Sequence, residues 1–171
     1  MASTETISYD CQPLGPGWIG LALKNGTCVG VALPATEHGV SEYFAERFPL
    51  AVLQRKKLTQ LDDLIALATG EITAYPHPFL AQGTAFQQAV WQGLLTIAPG
   101  QTQSYQQLAN AIKWPSAVRA VGSGCGANPL AVIIPCHRVT RSDGQLGGFY
   151  WGLEWKQFLL ANEQRAATHF I

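Results

Sequence analysis

Apolar positions come in short runs early in the chain and take helical spacing later. Trp18 to Leu23 and Thr27 to Leu33 are two apolar runs flanking Asn25-Gly26, the pair whose preference for positive φ suits a tight two-residue turn, so a β-hairpin is predicted. A short helix fits Ser41 to Arg47. Leu58, Leu61, Leu64, Ile65 and Ala68 then recur at helical spacing, with Gly70 placed as a terminating glycine. Tyr75-Pro76-His77-Pro78-Phe79 reads as a stiff extended connection, and the domain boundary is placed there, giving domains of 1–80 and 81–171. Thr84 with Gln87 forms a capping-box pattern, opening a helix whose apolar face is Phe86, Val90, Trp91, Leu94 and Leu95. Ser104 with Gln107 repeats the pattern and opens a helix through Leu108, Ala109 and Ile112. Pro115 is predicted to begin a third helix, Ser116 to Val121. Two short helices joined by a tight turn and followed by strand material predict a helix-turn-helix with a wing. The last apolar run, Leu130 to Ile134, reads as a buried strand cut short by Pro135.

Composition narrows the class. A hydrophobic content of 47% with 13% charged residues describes a globular chain of 171 residues. No apolar run reaches a membrane span, and the polar start Met1 to Glu5 has no signal-peptide pattern, so a cytoplasmic protein with reduced cysteines is expected. Net charge is zero, but residues 1–80 carry −3 and residues 81–171 carry +3, an asymmetry that points to a polyanionic partner for the second half. Cys11, Cys28, His38 and His77 have no tight ligand spacing, so no metal is expected.

The candidate chemistry gathers at the end of the apolar run, where Cys136, His137 and Arg138 follow Pro135. On a continuing strand Cys136 and His137 would face opposite ways; only a turn or a helical start brings both to one site. A cysteine there is either buried structure or a nucleophile. The third helix is nearly bare: Ala117, Ala120, Gly122, Ser123, Gly124 and Gly126 leave Arg119 as its one long polar side chain. Such a surface fits close packing against a neighbour, or entry into a narrow groove.

Gly83 to Glu163 resembles the catalytic domain of the O6-alkylguanine-DNA alkyltransferases (methylated-DNA–protein-cysteine methyltransferases). The resemblance is carried by Ser104 to Ala109, Pro115 to Gly122, Asn128-Pro129, Ile134 to Val139, Ser142 to Gly144, Gly147 and Lys156 to Glu163. It implies an α/β ribonuclease-H-like domain followed by a mainly α winged-helix domain that enters the minor groove. It also implies transfer of an O6-alkyl group, chiefly methyl, to Cys136, once per molecule and without a cofactor. His137 would be the base, linked to the cysteine by water, with Glu163 orienting it. Tyr105 would protonate the leaving guanine at N3, and Asn128 would brace the adjoining loop. Arg119 would fill the space left by the flipped base. Gln106, Gln87 and Ser142 match the DNA-contacting side, while Val139, Tyr150 and Trp151 match the substrate pocket. The carbonyls of Cys136 and Val139, with the Tyr150 amide, would hold the guanine edge. The implied partner is double-stranded DNA containing O6-alkylguanine, with O4-alkylthymine as a further substrate, and the implied state is a monomer. Two departures stand out. Ala127 replaces a residue often basic in bacterial relatives, which predicts weak DNA affinity; Trp151 replaces a common glycine, which predicts a narrowed pocket favouring methyl over benzyl. Three other readings compete: a non-reacting binder of damaged DNA, a winged-helix regulator sensing alkylation, and a cysteine hydrolase.

Overall fold

A computed structural model describes residues 4–169; Met1 to Ser3 of the polar N-terminus lie outside it. The first half is a mixed sheet, β1 (Thr6–Leu14), β2 (Gly17–Lys24), β3 (Thr27–Ala32) and β4 (Val52–Arg55), in the order β3-β2-β1-β4. β1 and β2, and β2 and β3, pair antiparallel, whereas β4 runs parallel to β1 and needs the crossover that α1 (Glu37–Arg47) provides. The predicted hairpin turn is present, with φ of 50° at Asn25 and 79° at Gly26. Val40 and Phe44 of α1 cover one sheet face, against Ile7, Cys11, Ala22 and Ala32. α2 (Thr59–Ala68) covers the other, where Ile19 and Leu21 meet Leu61 and Leu64. Each leucine so buried contributes about 1.5–3 kcal/mol relative to exposure.

The Tyr75–Phe79 stretch is extended as predicted, yet it is not a free tether. Cys28 N donates to Pro78 O and Leu80 N to Cys28 O, both at 2.9 Å, which lays the segment along the edge of β3.

The second half is mainly helical: α3 (Ala85–Leu95), α4 (Tyr105–Ala111), α5 (Val118–Gly126) and α6 (Leu153–His169). Both capping boxes form in full, at Thr84/Gln87 and at Ser104/Gln107. Two-residue strands β5 (Gln103–Ser104) and β6 (Val139–Thr140) pair parallel beside α4. Val90, Leu108, Val121, Trp155 and Leu159 join the same apolar cluster as Leu21, Val31 and Leu64 of the first half.

Three expectations need correction. Leu95 is 42% exposed and lies off the buried face of α3. The third helix starts at Val118 rather than at Pro115, because Trp114 to Ala117 close a turn of their own through Ala117 N to Trp114 O (3.0 Å). Leu130 to Ile134 is buried but forms no strand. Val132 sits at φ 76°, and Ile134 N returns to Leu130 O at 2.9 Å, so the run folds back on itself as a compact buried loop.

Candidate active site

Pro135 breaks the loop, and Cys136–Arg138 form a single 3-10 turn, with Arg138 N donating to Pro135 O at 3.0 Å. The turn is what keeps consecutive side chains in one buried neighbourhood. Cys136, His137 and Arg138 are 9%, 1% and 6% exposed, so neither the histidine nor the arginine is a surface residue.

Asn128, just after α5, ties this turn to the loop. Its amide nitrogen donates to Ile134 O at 2.8 Å and to Cys136 Sγ at 3.2 Å, while its oxygen accepts from Leu130 N at 2.9 Å. Burial pushes the Cys136 thiol above its ordinary value, against the opposing pull of the Asn128 hydrogen bond and the Lys156 charge. The thiol is therefore protonated at rest, and nucleophilic attack requires a base.

His137 has the form of that base. Its Nε2 lies 2.7 Å from Glu163 Oε1 on α6. An ionised carboxylate only accepts, so Nε2 carries the hydrogen and Nδ1 keeps its lone pair. Nδ1 is buried and has no partner among the described residues. Burial lowers the histidine's pKa more than Glu163 raises it, so the ring is neutral. Burial would raise the Glu163 carboxyl, but hydrogen bonds from His137 and Arg138 overcome this and hold it at about 2. Arg138 contributes Nε to both carboxylate oxygens (3.1 Å each) and Nη2 to Oε1 (2.8 Å), and its Nη1 donates to Ile97 O at 2.6 Å.

Cys136 opens into a cavity of about 220 Å³ lined by Tyr105, Gly122, Cys125, Gly126, Gly148, Phe149 and Tyr150. Two of those glycines come from the bare helix α5, where they leave the space open. Gly124 serves the other purpose, since a Cβ there would stand 3.1 Å from Val90 of α3, and its carbonyl accepts from Trp91 Nε1 at 3.0 Å. The close-packing reading of the bare helix is thus realised at Gly124, while Gly122 and Gly126 face the cavity. Tyr105 is half-buried, and burial keeps its phenol above the ordinary value and so protonated.

The profile described as "6-O-methylguanine DNA methyltransferase, DNA binding domain" matches residues 85–165. An inducible methylated-DNA–protein-cysteine methyltransferase from Bacillus subtilis is 42% identical over 159 residues, 88% of this chain and 86% of that protein. The chain belongs to this methyltransferase family. The bifunctional transcriptional activator/DNA repair enzyme Ada of Escherichia coli is 56% identical over 101 residues, but the match spans only 28% of Ada's length. The structure of Mycobacterium tuberculosis OGT in complex with DNA superimposes with a TM-score of 0.78 at 31% identity, over 93% of this chain and 94% of that one.

The remaining family-matched positions divide into four groups. Arg119 and Ser142 are exposed, Arg119 on the first turn of α5. Gln87 and Gln106 are engaged locally: Gln87 Oε1 completes the α3 cap (3.0 Å from Thr84 N), and Gln106 Nε2 donates to Asn110 Oδ1 and Pro115 O, both at 2.9 Å. The Val139 carbonyl already accepts from Lys156 Nζ at 2.6 Å, and the Cys136 carbonyl from the Val139 amide. Trp151 does not line the cavity. Its ring packs edge-on against Tyr43 and Tyr150, each with centroids 4.8 Å away, so the narrowing expected of it, and the methyl-over-benzyl preference drawn from that, have no basis in the lining.

Two residues received no role in the sequence reading of the site. Arg138 is the cation paired with Glu163. Lys156 is fully buried, and its ammonium donates to the carbonyls of Val139 (2.6 Å), Leu146 (2.5 Å) and Gly148 (3.2 Å), pinning the loop that walls the cavity. Burial lowers its pKa, opposed by the Cys136 and Cys125 thiols. One signal was present: Lys156, Leu159 and Glu163 fall on one stripe of α6, so a core-facing stripe began with a lysine. Among the described residues no group of three or more His, Cys, Asp or Glu side chains could hold a metal.

Proposed function

We propose that the protein repairs DNA by direct reversal, moving the alkyl group of O6-alkylguanine, chiefly methyl, to Cys136 irreversibly and once per molecule. The observation that carries this reading is the unpartnered, buried Nδ1 of a neutral His137 whose other nitrogen is fixed by Glu163, one residue from a thiol that needs deprotonation. The thiol proton passes to Nδ1 through a water molecule, which suits a buried polar atom lacking a protein partner. Sulfur forms a bond to the alkyl carbon as the carbon–O6 bond breaks, and the protonated Tyr105 supplies a proton to guanine at N3. The overall exchange is balanced: the thiol loses a proton, guanine gains one, and a thioether replaces the thiol. Asn128 positions the sulfur, and the Cys136 and Val139 carbonyls with the Tyr150 amide hold the base. Each of those carbonyls has a second lone pair to offer.

The partner in this reading is double-stranded DNA, with O4-alkylthymine as a further substrate. α4, the turn and α5 serve as helix-turn-helix, β5 and β6 form the base of a wing, and the first half is a ribonuclease-H-like domain, divided from the second at residue 80. The protein acts as a cytoplasmic monomer, in keeping with four unpaired, buried cysteines. Gln87, Gln106 and Ser142 lie on the DNA side.

The test is intact mass after incubation with duplex containing O6-methylguanine. One adduct of about +14 Da, the mass of a methyl group replacing hydrogen, should appear on the Cys136 peptide and stop at one equivalent. An unmarked protein, or product released over many rounds, refutes the reading. Arg119 is assigned to the vacated stack. Arg119→Ala should therefore slow transfer from duplex by about tenfold or more, since extrusion costs a few kcal/mol, and leave transfer from free O6-methylguanine unchanged. Equal losses on both substrates would remove that assignment.

A further inference from the structure

The first half of the chain carries none of the residues assigned above, yet one of its side chains reaches the substrate cavity's wall. Tyr150 lines the cavity beside Cys136 and also lines a second groove of about 300 Å³, whose other side is Tyr43, Glu46 and Arg47 of α1. Tyr150, with Gly126, is thus shared by the walls of the two spaces. It is 65% exposed and lies between Gly148 and Gly152, in a turn closed by Gly152 N donating to Phe149 O at 3.0 Å, which sets the backbone and leaves the ring to be placed by other contacts. Lys156 ties the loop at residues 139, 146 and 148, all upstream of Tyr150.

The ring is fixed instead by edge contacts. Tyr43 meets Tyr150 at 6.3 Å and Trp151 at 4.8 Å between centroids, while Tyr150 and Trp151 lie 4.8 Å apart at 80°. Tyr43 is itself held by Phe44, 5.7 Å away, whose side chain is fully buried against the sheet. Among the described residues, Trp151 is the one from the second half packed against the apolar cluster that α1 makes with that sheet.

We infer that Tyr43 is a positioning residue for alkyl transfer, acting through Trp151 and Tyr150 to hold the cavity wall in its reactive place. The inference rests on the function proposed above. It assigns the first half of the chain a part in the reaction: α1 is the fixed support against which a glycine-flanked lip is set. The contacts run through the Tyr43 ring, so phenylalanine should substitute for it and alanine should not.

Single-turnover transfer from O6-methylguanine duplex, measured over a range of DNA concentrations, tests this. Tyr43→Ala should lower the saturating rate by about 10- to 100-fold, the scale of a small misplacement at a reacting centre, with the half-saturating concentration little changed. Tyr43→Phe should restore the parental rate. Should Tyr43→Ala fold poorly, Tyr43→Leu serves in its place. In a Tyr150→Ala background the same Tyr43 substitution should cost nothing further, because the group it acts through has gone. An undiminished saturating rate, a loss that phenylalanine does not rescue, or a loss that persists in the Tyr150→Ala background would each overturn the inference. Parental transfer measured alongside shows separately whether the underlying reaction occurs.

Discussion

A Cys136→Ala protein should emerge from long exposure to O6-methylguanine duplex with its mass unchanged, while binding that duplex as the parent does. The cavity supplies a second sulfur, Cys125, so the loss is not trivial. Burial pushes the Cys125 thiol up to about 12, so it stays protonated at neutral pH. The histidine that would take its proton belongs to the Cys136 turn. The substitution removes only a sulfur that accepts from Asn128, which keeps its bond to Ile134 O, so the stability cost should be on the order of 1 kcal/mol. Methylation of Cys125 in the variant, at any rate near the parent's, would show that the environment of Cys136 contributes little.

The second large effect is expected at Glu163. Glu163→Gln keeps the shape but halves the acceptor capacity. One amide oxygen would have to serve both His137 Nε2 and Arg138, while the new NH2 would face the guanidinium. Transfer should fall by about 10²- to 10⁴-fold, the range for losing a well-placed general base. Removing one partner of a buried pair costs about 3–5 kcal/mol, so the variant should also unfold at lower denaturant concentration. The pH dependence has a definite sign. Because the folded Glu163 pKa is depressed to about 2, its stabilisation is complete above the unfolded value near 4.3 and is lost as pH falls from there towards 2. The gap in unfolding free energy between parent and variant should close as pH falls from about 4 towards 2. His137, also depressed, contributes a separate loss below about 6.5, larger in the variant, which lacks the carboxylate that raises it. A gap that does not change between pH 7 and 3 would mean that the carboxylate charge is not what stabilises the site.

What the sequence revealed, and what it concealed, follows from the range of the forces involved. The Asn25-Gly26 turn and the two capping boxes are local chemistry, and each forms where read. The segment Leu130 to Ile134 has the composition of a strand and none of a strand's partners. Asn128 fixes both of its ends through its side-chain amide, and that clamp overrides β propensity. Lys156 drew no role from the sequence because a buried ammonium is recognisable only once the three carbonyls around it are in place. Glu163 was legible through family resemblance, whereas the cation paired with it, Arg138, passed unassigned beside His137. Trp151 was placed in the pocket by analogy, but the tyrosine that draws it away lies 108 positions earlier, on α1.

The continuous apolar cluster that runs from Leu21 and Leu64 into Val90, Leu108 and Trp155 constrains how such a chain can diversify. Grafting the leading portion of one homologue onto the trailing portion of another would bring together two interiors never shaped for one another. Any such chimaera would inherit mismatched volumes at the seam. Drift in the leading portion is therefore answerable to the shape of its companion, even though it has no reactive group of its own to protect.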